Sequence, residues 1–248
     1  MTKRRYTLTV LFAALWLIPA AASAQIHQVG SSSGGDKKVT VNFSVGFFAL
    51  RGLGSRPVDD ILYQDLQPPQ PLLFSVGDLN SVPVGGEFIY GFNRHIEFGV
   101  GVTYSQRTAN SVYANLTHAD GSEIQQDLKL KQVNEAFTGR YVIFPRGSSI
   151  EPYVGGGVIA IRYNYSESGE FVDATDLSIF PAHYETTGTV AGPLVLGGVR
   201  GRVGGKLVIG GEFRWQHAVA NVPVSDNFLG TKLDLSGWTG NFTFGLRF

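Results

Sequence analysis

Glu87, Arg140, Glu212 and Arg214 each sit inside a run of alternating apolar residues, where charged side chains are least expected. Two acids and two bases at comparable depth can neutralise one another. Leaving one of them unpaired in a poorly hydrated interior costs about 3–5 kcal/mol. The chemistry this quartet offers is therefore a lumen ion-pair network, not catalysis. Other groupings are weaker. Asp59, Asp60 and Asp65 supply oxygens of the kind Ca²⁺ uses, but without the ordered spacing of a calcium loop, and read as solvated loop acids. His118 with Asp120, and His183 with Glu185, bring two metal ligands each, too few for a closed site. Gly198-x-x-Gly201-x-x-Gly204-Gly205 has the look of a phosphate loop, yet no helix follows to offer its N-terminus. It reads as a turn. No catalytic, cofactor-binding or metal-binding residues are expected.

The elements that position these residues are strands. Trp238, Gly240, Phe242, Phe244, Leu246 and Phe248 fall on one face of the last eleven residues, with Thr239, Asn241, Thr243, Gly245 and Arg247 on the other. Period-two alternation is the strand signal, because successive side chains point to opposite faces. The same alternation recurs upstream over about 39–50, 82–92, 96–108, a segment ending near Ile143, 150–166, 189–201 and 207–217. Connections run long, short, long, short, long, short, long: 51–81, 93–95, 109–125, 145–149, 167–188, 202–206 and 218–232. Glu87, Arg140, Glu212 and Arg214 share parity with the small polar residues and oppose the aromatics. A soluble barrel has its apolar face inside; this pattern is inside-out. The expected fold is all-β, an eight-stranded antiparallel up-and-down transmembrane β-barrel.

Arg162 is expected to point inward, which sends Tyr153, Ile159, Ile161, Tyr163 and Tyr165 of the fifth strand to lipid. Val190, Leu194 and Leu196 are expected outward on the sixth. Tyr104, Tyr163, Tyr165, Trp215 and Trp238 then form an aromatic girdle at the outer ends of the strands.

The 248 residues contain no cysteine, which excludes disulfides and thiolate chemistry. Lys3, Arg4 and Arg5, an apolar core from Leu8 to Ile18 and the Ala22-Ser23-Ala24 site define a signal peptide over residues 1–24. Its removal leaves 17 basic residues against 20 acidic, which argues against nucleic acid as a partner. Residues 25–38, Gly/Ser-rich, are expected to form a flexible periplasmic N-terminal segment, and 39–248 the barrel.

The ending Phe242-x-Phe244-Gly245-Leu246-Arg247-Phe248 resembles the terminal strand of bacterial outer-membrane β-barrels. Pro152-Tyr153-x-Gly155-x-Gly157 is similar to a pattern of small barrels of the outer-membrane protein A/X type. The resemblance implies an outer-membrane location in a Gram-negative-type bacterium with both termini periplasmic. It implies contact with outer-membrane lipid and lipopolysaccharide, and an assembly signal at Phe242, Phe244, Leu246 and Phe248 read by the barrel-assembly machinery. It also implies four extracellular loops open to an extracellular ligand. Outer-membrane protein A usually continues into a peptidoglycan-binding domain; this sequence stops at the barrel, so wall anchoring is not implied. Some small barrels are lipid A 3-O-deacylases, which resemblance would require His-x-Ser-Asn and a carboxylate. The matching stretch here is His217-Ala218-Val219-Ala220-Asn221, and valine has no attacking atom. The function expected is non-enzymatic, structural or surface-interacting, with a plugged lumen. A small diffusion pore is the alternative, and a lipid A-modifying enzyme the third reading.

Overall fold

Alternation of side chains across each strand, and hydrogen bonding from strand to strand, leave a sheet with no free edge if it closes on itself. This chain does so. A computed structural model describes residues 38–248; the expected signal peptide and residues 25–37 of the lead-in segment lie outside the described residues. The barrel strands are β1 (Val39–Leu50), β2 (Val84–Gly91), β3 (Ile96–Thr117), β4 (Glu123–Val142), β5 (Ile150–Val172), β6 (Ile179–Val203) and β7 (Leu207–Gln216), then, after two short strands, β10 (Gly237–Arg247). The short strands β8 (Val219–Asn221) and β9 (Lys232–Asp234) pair in the last connection, and a single turn, α1 (Ile61–Gln64), lies in the first. The ring order is β1-β10-β7-β6-β5-β4-β3-β2, an eight-stranded, closed, antiparallel up-and-down barrel. β1 and β10 close it over eleven residue pairs from Thr40↔Arg247 to Leu50↔Gly237, and Phe43 stacks on Phe244 at 5.4 Å.

The outer surface shows what surrounds the barrel. Ile96, Phe98, Val100, Val102 and Tyr104, alternate residues of β3, are 37–52% exposed. The next outward positions on the same strand are Gln106, Thr108 and Asn110. The apolar stretch of β3 thus spans nine residues, 96–104, and a tilted strand needs about 9–11 to cross a bilayer. Large apolar side chains in such a belt are costly in water and at home in lipid. The barrel is transmembrane.

Two hairpins rise well beyond this belt. The segments 109–125 and 167–188, expected as loops, are largely strand: β3 runs to Thr117 and β4 begins at Glu123, while β5 runs to Val172 and β6 begins at Ile179. Their polar sequence reads as loop because apolar alternation is the signal for a strand in lipid. Above the belt water bathes the outer face, and the backbone ladder asks nothing of side-chain polarity. A left-handed Gly121, with φ +85°, makes the turn of the β3–β4 hairpin.

The same geometry corrects the facing of β5 and β6. Arg162 stands above the belt and points outward to Glu135, at 2.6 Å. Tyr153, Ile159, Ile161, Tyr163 and Tyr165 are at most 5% exposed and face inward, as do Leu194 and Leu196. Val190 is half-buried against the same interior core. A charge marks the inward face only where lipid lies outside, and at the height of Arg162 none does. On β5 the belt is made instead by Ile150, Val154 and Val158, 53–60% exposed. Arginine at Val154, mid-belt, is therefore expected to cost about 2–4 kcal/mol of folding free energy. Arg162→Ala is expected to cost only about 0–1 kcal/mol, as for an exposed ion pair. Urea titration in lipid vesicles ranks the two; the reverse order would put Tyr153 back on the lipid face.

Candidate functional site

The lumen is filled in layers, starting at the rim where β1 begins and β10 ends. Glu97 opens β3, Glu151 opens β5, Arg200 and Arg247 close β6 and β10, and Arg146 reaches in from the turn after β4. Arg200 donates to Glu97 at 2.6 Å and to Glu151 at 2.7 Å. Arg247 grips Glu151 with two parallel bonds of 2.7 and 2.8 Å, the bidentate fit of guanidinium to carboxylate. Arg146 lies 3.4 Å from Glu97 and also donates to Thr40 Oγ1 at 3.0 Å.

Tyr153 links this rim layer to the next. Its ring lies 5.4 Å from the Arg200 guanidinium carbon and 5.3 Å from that of Arg140, within cation–π range. Its hydroxyl donates to Glu212 at 3.0 Å. Arg140 Nη2 then donates to both oxygens of Glu87 at 2.7 Å and to Glu212 at 2.9 Å. Arg214 pairs with Glu212 through Nε and lies 3.5 Å from Glu87 through Nη2. The four residues Glu87, Arg140, Glu212 and Arg214 thus meet in one cluster. Room for it is made by glycine: a Cβ on Gly99 would stand 2.5 Å from Glu87 Oε1 and 2.7 Å from Thr138 Oγ1.

The rim layer is the part that sequence reasoning missed. Glu151 shares the parity that an inward Arg162 sends outside on β5, and Arg200 the parity of Leu194 and Leu196, expected outward on β6. Glu97 and Arg247 were already inward by alternation, and two inward charges at one rim call for partners there.

Above the ion pairs the interior turns apolar. The connection between β1 and β2 folds down into the barrel mouth, and Ile61, Leu62, Leu72, Val76 and Leu79 pack with Leu128, Ile161, Tyr165, Leu194 and Leu235. Asp60 pins this segment: it accepts two bonds from Arg56, at 2.6 and 3.1 Å, caps α1 through Tyr63 N, and takes the Asp234 N–H at 2.6 Å. Arg56 completes the clamp on the Asp234 carbonyl at 2.6 Å. Asp60 and Asp65 are buried, not solvated as expected, and only Asp59 is a surface acid, 3.1 Å from Lys232. Of the histidines, His118 meets Glu170 at 2.8 Å, whereas His183 meets Ser168 at 2.6 Å and the expected Glu185 at 3.6 Å.

The aromatic residues divide. Tyr104 and Trp238 are outward, and Trp215 stacks beside Trp238 at 6.2 Å and on His217 at 6.1 Å. Tyr163 and Tyr165 are not part of a girdle; they belong to the apolar interior. Phe242, Phe244, Leu246 and Phe248 form the outward face of the last strand, 44–54% exposed. His217 Nδ1 meets Ser236 Oγ at 2.9 Å, but that hydroxyl is 1% exposed and also receives the Ala218 N–H.

No family model matches the chain, and no curated protein matches it. Among solved structures it is similar to the outer membrane protein OprG from Pseudomonas aeruginosa, at 13% identity, covering 87% of this chain and 98% of that one, with a TM-score of 0.47. Neisserial surface protein A matches at 14% identity over 87% of this chain and all of that one, with a TM-score of 0.43. The Escherichia coli outer membrane protein W matches at 16%, over 87% and 100%, with a TM-score of 0.41. These are similarities of fold. The closed ring and its lipid belt define the class, an eight-stranded transmembrane β-barrel.

Asp65 and Glu167 lie above the belt, at the edge of the apolar core. Burial, with each carboxyl beside the other, pushes Asp65 well above the usual carboxylate range, and burial pushes Glu167 up to about 7. A carboxyl with a raised folded value favours the folded state only while protonated. The unfolded chain loses its proton first, so stability falls as pH rises from about 4.5 through about 7. The urea midpoint is expected to be higher near pH 5 than near pH 8, with the difference reduced in Asp65→Asn/Glu167→Gln. A midpoint that rises over this interval would contradict the burial of an acid pair.

Proposed function

We propose that this chain is a non-enzymatic outer-membrane barrel with a closed lumen, acting through its loop end as a surface for contact outside the cell. The observation that carries the reading is the double closure of the interior. Arg140, held by Glu87 and Glu212, spans the lumen at one level, and the inserted β1–β2 connection fills it at another. An eight-stranded barrel has an interior only wide enough for side chains to fill, and both layers fill it. Residues 1–24 are then a removed signal peptide, 25–38 a periplasmic lead-in and 39–248 the barrel, with both termini in the periplasm. The short turns after β2, β4 and β6 lie at the rim where the chain enters and leaves, which supports that orientation. The belt meets outer-membrane lipid and lipopolysaccharide, and the apolar face at Phe242, Phe244, Leu246 and Phe248 is the assembly signal. The burial of Ser236, the hydroxyl beside His217, supports the non-enzymatic reading.

In planar bilayers the wild type is expected to pass little or no current. Arg140→Ala leaves Glu87 and Glu212 without their shared partner and is expected to cost about 3–5 kcal/mol in urea titration. Its conductance should stay near that of wild type, because the apolar layer still closes the lumen. A wild type conducting like an open porin would replace this reading with that of a diffusion pore.

A further inference from the structure

A cavity of about 340 Å³ opens at the loop end, between the residues that follow α1, the tip of the β5–β6 hairpin and the β8–β9 connection. Its walls are apolar and aromatic. Phe171 meets Tyr184 edge-on at 4.8 Å, and Tyr184 meets Phe228 at 6.3 Å. Among the described residues two acids, Asp65 and Glu167, are the charged groups that line it, and no arginine, lysine or histidine does. Both are buried, at 5% exposure each. Tyr165 donates to Glu167 Oε1 at 2.9 Å, and Asp65 and Glu167 share a side-chain hydrogen bond, so that the Asp65 carboxyl has Glu167 beside it and Oδ2 takes no bond from an amide, hydroxyl or cation.

This arrangement differs from every other buried acid in the barrel. Glu87, Glu97, Glu151 and Glu212 each face at least one guanidinium, Asp60 faces Arg56, and Asp234 lies 3.7 Å from Arg51. Besides each other, the titratable groups bearing on the Asp65–Glu167 pair are Tyr113, Tyr165 and the already neutralised Asp60. Burying two carboxyls together without a cation is costly, and a proton retained by the pair lowers that cost. Aromatic faces beside an uncompensated carboxylate are how proteins hold ammonium groups on apolar bodies, and the volume suits a small organic molecule. A bare metal ion fits poorly, because Ca²⁺ takes six to eight oxygens and these walls are mostly hydrocarbon.

We propose that this cavity binds a small organic cation, with its ammonium group on the Asp65–Glu167 pair and its apolar body against Phe171, Tyr184 and Phe228. Binding displaces the proton held by the pair to solvent, so affinity rises with pH. The Gln64, Gln67, Gln70 and Gln126 amides around the cavity supply donors and acceptors that orient polar substituents of the ligand.

The test is calorimetric titration of the folded, full-length barrel in a non-ionic detergent with 2-phenylethylammonium, against the uncharged 2-phenylethanol. The amine is expected to bind saturably and to release protons. Its affinity should rise about tenfold or more between about pH 5 and pH 8 and exceed that of the alcohol by a similar factor. Asp65→Asn/Glu167→Gln should lose at least about tenfold in affinity for the amine while keeping the compact form on unboiled gels. Phe228→Ala, which leaves the acids in place, should weaken both compounds and preserve the pH dependence of the amine. Equal affinity for amine and alcohol, no binding of the amine at millimolar concentration, or an unchanged affinity in the double variant would each overturn the proposal.

Discussion

Burial strips a guanidinium of its hydration, and Arg140, 3% exposed inside a membrane barrel, is tolerated because two carboxylates close on it. Glu87 comes from β2 and Glu212 from β7, so one nitrogen of one side chain on β4 ties together three strands that are nowhere neighbours in the ring. Opposite charges at this range in a low-dielectric interior attract strongly, but the gain only offsets desolvation if geometry is good and the remaining polar atoms are served. Tyr153 serves one of them, donating to Glu212 while its ring lies against Arg140. The bulk of the cluster is in turn possible only because small residues stand opposite. The inward positions near it include Gly99 and Gly198, and a Cβ on Gly198 would come within 2.6 Å of the Tyr153 ring.

The change from polar to apolar filling along the barrel follows from what lies outside. Within the belt the outer face must be apolar, and the strands alternate, so polar residues are directed into the lumen and must pair there. Above the belt the outer face is polar and the inward face is free to be hydrophobic. That is where the β1–β2 connection inserts, and where Leu128, Ile161 and Leu194 receive Ile61 and Leu62. The barrel has a membrane protein's inside-out section continuous with a water-soluble section of ordinary polarity. The Arg56–Asp60 clamp, closed by Asp234, joins the plug to the last connection at the top of this second section.

That change of regime also decides what was legible in the sequence. Where a strand stays within the belt, alternation alone gave facing: Phe242, Phe244 and Leu246 outward, Asn241 and Thr243 inward, and Glu87 and Arg140 on the lumen side. Strands β5 and β6 cross both regimes, and there one rule was applied to two environments. Arg162 marks the outward face in the upper section as surely as Arg140 marks the inward face in the lower one. Taking them as equivalent inverts Tyr163 and Tyr165 and hides Glu151, and taking the apolar Leu194 and Leu196 as lipid-facing hides Arg200 on β6. The acid pair Asp65 and Glu167 was out of reach for a different reason. The two are 102 positions apart, on a loop and a strand tip, and only the insertion of the β1–β2 connection brings them to one cavity.

Because the chain contains no cysteine, a single introduced thiol reports lumen closure without background. Thr138, fully buried beside Glu87, is the position to replace, with exposed Ser225 as the reference. In folded protein in lipid vesicles, Ser225→Cys is predicted to react rapidly with a small cationic methanethiosulfonate, and Thr138→Cys only after unfolding in urea. Modification of both at the same rate in the folded barrel would show a water-filled passage through the ion-pair layer and contradict a sealed lumen.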